Sequence, residues 1–153
     1  MKKVLVAYFS SSGITEKMAE YIAEGVRFTG NQAVTRKIGA LKTAEDLGGY
    51  DGYIFGSPTF SLDLPEAMKS FLSTLPKSSL KGKLVGAFGV YKHEVGYTPG
   101  GVAAILIFEN LEKECQMEGF DLGPLQLKED LAESSEGMRN CQIYGKAFAE
   151  KLG

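Results

Sequence analysis

Tryptophan is absent from this chain of 153 residues, histidine occurs once, and cysteine occurs twice. His93, Cys115 and Cys141 are too few for a structural zinc site built from Cys and His ligands. The two cysteines stand far apart without CxxC spacing, so they read as buried thiols in a reducing, cytoplasmic setting. Long apolar runs are missing too. None approaches the ~18 residues that a membrane-spanning helix takes. The opening "MKKVLVAYFS" pairs lysines with a short apolar run, as a secretion signal does. Polar "SSSG" follows where a small-residue cleavage site belongs, and no secretion signal is read. A large excess of one charge sign is missing as well: the formal net charge is −2. That supplies no strong field for nucleic acid or an acidic membrane surface.

What is present is the composition of a soluble globular domain, 44% hydrophobic and 24% charged. The length fits one domain spanning residues 1–153. Residues 4–9 form a short apolar run with β-branched members, the pattern of a strand buried on both faces. Residues 15–28 read as a helix, because Ile14, Met18, Ile22 and Val26 recur at four-residue steps. Residues 32–38 alternate like an edge strand. Residues 52–56 and 83–90 are two more buried strands. Between them, Ala67, Met68, Phe71, Leu72 and Leu75 have helical spacing, with Pro65 at the first turn. A helix is expected over 102–117, with Ala104, Phe108, Leu111 and Cys115 on one side and Gly119 just beyond its end. "FDLGPLQL" (120–127) reads as a fifth strand broken near Gly123 and Pro124. Ser135 can cap a last helix whose Cys141, Tyr144, Phe148 and Leu152 share a face. Strands alternating with helices through short connectors imply an α/β fold: an open parallel sheet with helices on both sides.

Ligands of such a sheet bind beyond the carboxyl ends of its strands. There the first strand runs into Ser10, Ser11, Ser12, Gly13, Ile14 and Thr15, four hydroxyl residues within six positions. A helix start exposes unpaired N–H groups and a partial positive charge, which suits phosphate. Serine and threonine add donors, and Gly13 lets the backbone approach closely. No lysine follows as in G-x-x-x-x-G-K-[ST], and G-x-G-x-x-G is absent as well. A phosphate held by neutral dipoles suits a permanently bound monophosphate ester better than a transferable γ-phosphate. The competing reading is helix capping alone, which needs only one hydroxyl. Two further loops should reach the same edge, residues 56–63 with Phe60 and residues 88–97 with Tyr91 and Tyr97. A phosphate site between two aromatic loops suggests a planar ring gripped on its faces. Tyr91 and Tyr97 compete for one stacking role.

At these loops the chain resembles the flavodoxin family. "SSSGIT" is similar to that family's FMN phosphate loop, T/S-x-T/S-G-x-T. "GSPTF" resembles its second loop, beside the isoalloxazine ring, and "AFGVYKHEVGY" stands where its third loop does. The resemblance covers the chain in element order and length and implies the short-chain kind: a three-layer sandwich on a five-stranded parallel sheet in the order 2-1-3-4-5. It implies that Ser10, Ser11, Ser12, Gly13, Ile14 and Thr15 hold the FMN phosphate. Ser57, Pro58, Thr59, Phe60 and Ser61 would line one side of the ring, and Gly89, Val90, Tyr91 and Tyr97 the other. The chain departs from the family in four places. Phe60 stands where Trp is common. Ser61 replaces a Gly whose carbonyl turns toward flavin N5 on one-electron reduction, and a positive φ is costly for Ser. The net charge is nearly neutral where many flavodoxins are strongly acidic. Lys92 and His93 lie in the third loop, where a cation favours an anionic reduced flavin.

The resemblance implies a one-electron carrier that docks transiently with redox proteins such as ferredoxin or an oxidoreductase. A monomer is expected in preference to a homo-oligomer, with neither nucleic acid nor membrane as partner. The alternative is an FMN-dependent NAD(P)H:quinone reductase, since "GSPTF", "LPEAMKSFL" and "PGG" also resemble the flavodoxin-like quinone reductases. In that reading the apolar "VAAILIF" would form a subunit interface; a deeply buried helix accounts for it as well and is the preferred explanation. A third class, a non-redox module of the same fold, would bind no flavin.

Overall fold

The computed structural model describes residues 1–61, 63–92 and 102–153. In chain order its strands are β1 (Lys3–Tyr8), β2 (Gln32–Lys37), β3 (Gly52–Pro58), β4 (Leu84–Tyr91), β5 (Glu118–Gly119) and β6 (Leu125–Lys128). The helices are α1 (Ile14–Arg27), α2 (Glu66–Ser73), α3 (Lys77–Leu80), α4 (Val102–Glu114), α5 (Glu129–Ala132) and α6 (Ser135–Leu152). All strand pairs of the sheet are parallel, in the order β2-β1-β3-β4-β5, with β6 also beside β4. This is the flavodoxin-like arrangement that the sequence resemblance implied.

The apolar runs are continuous because both faces of the central strands are covered. Val4, Val6, Tyr8, Ile54, Phe88 and Val90 pack in one core cluster with α1 and α6. Leu5, Ala7, Tyr53, Phe55, Val85 and Ala87 pack in the other with α2 and α4. The expected stripes are buried: Ile14, Met18, Ile22 and Val26 on α1, and Cys141, Tyr144 and Phe148 on α6. The "VAAILIF" stretch is helical and buries Ala103, Ala104 and Ile107, while Phe108 touches both clusters. Cys115 and Cys141 are both buried free thiols. Burial pushes the Cys141 thiol up to about 12.

The break in the fifth strand position has a clear physical basis. The Phe120 N–H still donates to the Val85 carbonyl at 2.8 Å, then the chain turns through Gly123 at φ +72°. The Ala87 N–H would be orphaned by that detour, at a cost of about 1–3 kcal/mol. Tyr144 fills the gap: its hydroxyl accepts from Ala87 N at 3.1 Å and donates to the Gly123 carbonyl at 2.7 Å. The strand pairing then resumes at Leu125.

Several boundaries differ from the sequence expectation. β3 runs on to Pro58, two residues past its expected end, and β4 runs one residue further than expected, to Tyr91, so the third loop's first residues Phe88, Gly89, Val90 and Tyr91 all lie in the strand. They are held there because β6 pairs with all four. α4 ends at Glu114, not Met117, and Gly119 lies in β5. Gln116 takes the left-handed conformation, φ +52°, while Met117 N–H closes onto the Leu111 carbonyl at 3.2 Å. The cap of α6 is Ser134, whose hydroxyl accepts from Gly137 N at 3.1 Å, rather than Ser135.

Candidate functional site

Crossovers leave β1 and β3 toward opposite edges of the sheet, which opens a crevice at their carboxyl ends. The segment from Phe9 to Gly13 sits there. Phe9 N–H donates to the Gly56 carbonyl at 3.1 Å, tying the exit of β1 to β3. Ser10 Oγ accepts from Gly13 N at 3.0 Å and closes the turn. Gly13 occupies the N-cap position of α1 at φ +90°, a conformation that favours glycine.

No serine hydroxyl therefore caps α1, since the N-cap residue has no side chain. The N–H groups of Ser11, Ser12, Ile14, Thr15 and Glu16 meet no acceptor among the described residues. Ser11 and Ser12 are exposed, whereas Thr15 is only 2% exposed and sits at the floor of the turn. This is a cradle of neutral donors around the positive end of a helix dipole. A phosphate monoester fits that donor set.

A carboxylate stands beside the cradle. Tyr8, the last residue of β1, donates its hydroxyl to Glu16 Oε1 at 2.9 Å, and Lys37 Nζ lies 3.9 Å from the same oxygen. Burial, reinforced by the bond to Glu16, pushes the Tyr8 phenol up to about 12.

The second loop begins inside β3. Ser57 is fully buried and donates its hydroxyl to the Pro58 carbonyl at 2.9 Å. Thr59 N–H donates to the Val90 carbonyl at 2.9 Å, and Thr59 Oγ1 accepts from Ala103 N at 3.2 Å, in the first turn of α4. Phe60 is 44% exposed and meets Phe9 edge-on, with ring centroids 6.3 Å apart. Phe60 and Asp63 exchange both backbone hydrogen bonds, at 2.8 and 2.9 Å. The Lys69 ammonium bonded to Asp63 holds that carboxyl below the usual range and anchors the base of the turn to α2.

Ser61 takes φ +50° within this turn, and only Gln116 joins it among the described non-glycine residues. The left-handed region costs an L residue roughly 1–2 kcal/mol. Glycine removes that strain but gives up about 0.5–1 kcal/mol of chain entropy. Ser61→Gly is therefore expected to be neutral or to stabilise by up to about 1 kcal/mol, and Ser61→Val to destabilise by at least about 1 kcal/mol. Urea unfolding midpoints check both. A clearly weaker glycine variant would mean that the serine side chain makes a stabilising contact.

In the third segment Gly89 and Val90 are buried, and the Val90 side chain packs into the α1–α6 core. Tyr91 is half-buried at the end of β4, and Lys92 is exposed. Tyr97 and His93 lie outside the described residues. The structure thus brings together the serine turn, Thr15, Phe60 and the end of β4 at one edge. Two features at that edge carried no separate signal in the chain. Phe9 read as strand, although its ring faces Phe60. Tyr8 and Glu16 come together only because β1 and α1 pack side by side.

The family model of the flavodoxin domain matches residues 5–97 of the chain. The chain belongs to the flavodoxin family. Among solved structures, flavodoxin 2 from Bacillus cereus is 31% identical with a TM-score of 0.77, covering 97% of this chain and 99% of that one. Flavodoxin 1 from the same organism is 29% identical with a TM-score of 0.81, covering 99% of each chain. A flavodoxin from the domain Archaea is 27% identical with a TM-score of 0.82, covering 98% of each. Flavodoxins bind a flavin and transfer electrons, and the serine turn stands at the switch point where such a sheet takes its ligand. No helix among the described residues is long and apolar enough to cross a membrane.

Proposed function

We propose that this protein is an FMN-bound electron carrier that shuttles electrons between transiently docked redox proteins. The observation that carries this reading is the uncharged cradle at the start of α1, with five N–H groups that meet no acceptor among the described residues, beside three serines and Thr15. Ser10, Ser11, Ser12, Gly13, Ile14 and Thr15 would hold the phosphate. Phe60, with Ser57, Pro58, Thr59 and Ser61, would flank one face of the ring. Tyr91 would flank the other, with the backbone of Gly89 and Val90, and Tyr97 shares that assignment. FMN, when bound, supplies the redox chemistry by accepting and releasing electrons. The residues of the chain hold it, orient it and shield it from water. Similarity to flavodoxins at 27–31% identity supports the carrier reading. Small interfaces suffice for such electron-transfer encounters.

Photoreduction of the FMN-loaded protein, followed in the visible, tests this. A one-electron stage that persists through the titration is expected. Direct two-electron bleaching, together with steady NAD(P)H oxidation in the presence of a quinone, would overturn the carrier reading in favour of a reductase. Failure of the protein to retain FMN would overturn both.

A further inference from the structure

Glu16 occupies the third position of α1, in its first turn. A carboxylate at that position commonly reaches back to the N-cap N–H and satisfies it, and it gains from the positive end of the helix dipole. Here it does not reach back to the N-cap. The Gly13 N–H is taken by Ser10 Oγ at 3.0 Å. The Glu16 carboxylate turns sideways to the Tyr8 hydroxyl at 2.9 Å and toward Lys37 Nζ at 3.9 Å.

Tyr8 and Lys37 are register partners at the ends of β1 and β2, so the sheet itself fixes the spacing of this pair. The Tyr8 ring is 6% exposed and locked in the core beneath α1. Its phenol stays protonated through the physiological range and remains a donor. The Lys37 and Glu16 side chains are 72% and 39% exposed. Their ion pair alone is therefore weak and screened. The hydroxyl of this fixed ring is the part of the network that sets direction.

The consequence concerns competition. A free Glu16 carboxylate would be an intramolecular anion within reach of the same N–H groups that a phosphate would use. We propose that Tyr8, with Lys37 behind it, holds the Glu16 carboxylate off the first-turn N–H groups of α1 and thereby sets the preference of the site for a phosphorylated flavin over riboflavin. The proposal rests on the FMN reading above. Tyr8, Glu16 and Lys37 act as positioning residues and need not touch the flavin.

The test compares dissociation constants for FMN and for riboflavin, measured by flavin fluorescence, in wild type, Tyr8→Phe, Glu16→Ala and the double variant. Tyr8→Phe keeps the core ring and removes only the hydroxyl, and a melting curve by circular dichroism checks the fold. Tyr8→Phe is expected to weaken FMN about five- to tenfold, the scale of a helix-capping interaction gained by the competitor. Riboflavin, which has no phosphate, should change less than about twofold on the same reasoning. The double variant should return to the FMN affinity of Glu16→Ala, because the competitor is gone. Three results overturn the proposal: an unchanged FMN affinity in Tyr8→Phe, equal loss for both flavins, or a double variant as weak as Tyr8→Phe. If wild type binds FMN and one of these holds, the proposal alone fails. If wild type does not bind FMN, the cofactor reading fails with it.

Discussion

Replacing Ser12 and Thr15 together by valine is expected to weaken FMN binding about a hundredfold. Each hydroxyl would donate to a charged phosphate, and a hydrogen bond to a charged group contributes roughly 1.5–3 kcal/mol. Losing two of them removes about 3 kcal/mol or more, and every 1.4 kcal/mol is tenfold in affinity. The backbone N–H groups remain, so binding should weaken without vanishing. The fold should tolerate the change. Ser12 is exposed, and the buried Thr15 side chain makes no hydrogen bond among the described residues, so valine orphans no partner there. Titration of FMN against each protein, with riboflavin as the phosphate-free control, gives the answer. A double-valine protein within about threefold of wild type, judged on that same scale, would remove the phosphate cradle from the account.

The second large effect is on stability. Gly145→Ala is expected to lower it by about 2–3 kcal/mol, in the range seen when a packed contact is overfilled. A Cβ placed on Gly145 of α6 would run into the Ile22 carbonyl of α1. The contact is reciprocal, because a Cβ on Gly25 of α1 would run into the Gln142 carbonyl of α6. The atoms met are backbone, so no side chain can rotate away; the helices must separate. Helix propensity alone argues the other way, since alanine in a helix is better than glycine by about 1 kcal/mol. The sign of the change therefore tells which effect wins. For a chain of this size the expected loss corresponds to a fall in melting temperature of about 4–12 °C. Urea unfolding of the apoprotein measures it directly, and a variant as stable as wild type would mean that α1 and α6 are not in backbone contact. Because α1 begins at the cradle, a weaker FMN affinity should accompany the loss.

These two predictions draw on different kinds of information. The serine turn was legible in the chain because it is local: hydroxyls, a glycine and a helix start within a few residues, directly after a strand. The glycine contact was not legible. Gly25 and Gly145 sit inside helical patterns, where a glycine looks like a mild defect. The same contrast runs through the boundaries. The break near Gly123 and Pro124 was visible in the sequence, but the use of Tyr144 to close it was not. β4 outran its expected end because β6 pairs with Phe88 through Tyr91, and that pairing joins residues more than thirty positions apart. Gly119 looked like the natural end of α4, yet Gln116 took the left-handed turn, because the chain had to re-enter the sheet beside Leu84 and Val85.

By itself, then, the amino-acid sequence determined the alternation of strands and helices, the faces each buries and the placing of neutral donors at the first strand–helix junction. Those follow from side-chain periodicity and backbone preference, which act over a few residues. Only the tertiary structure decided that Tyr8 and Lys37 flank Glu16, that Phe9 faces Phe60 and that α1 and α6 touch through two glycines. Such meetings depend on strand register and on how helices cross, and both are settled by packing across the whole core rather than by any short stretch of chain.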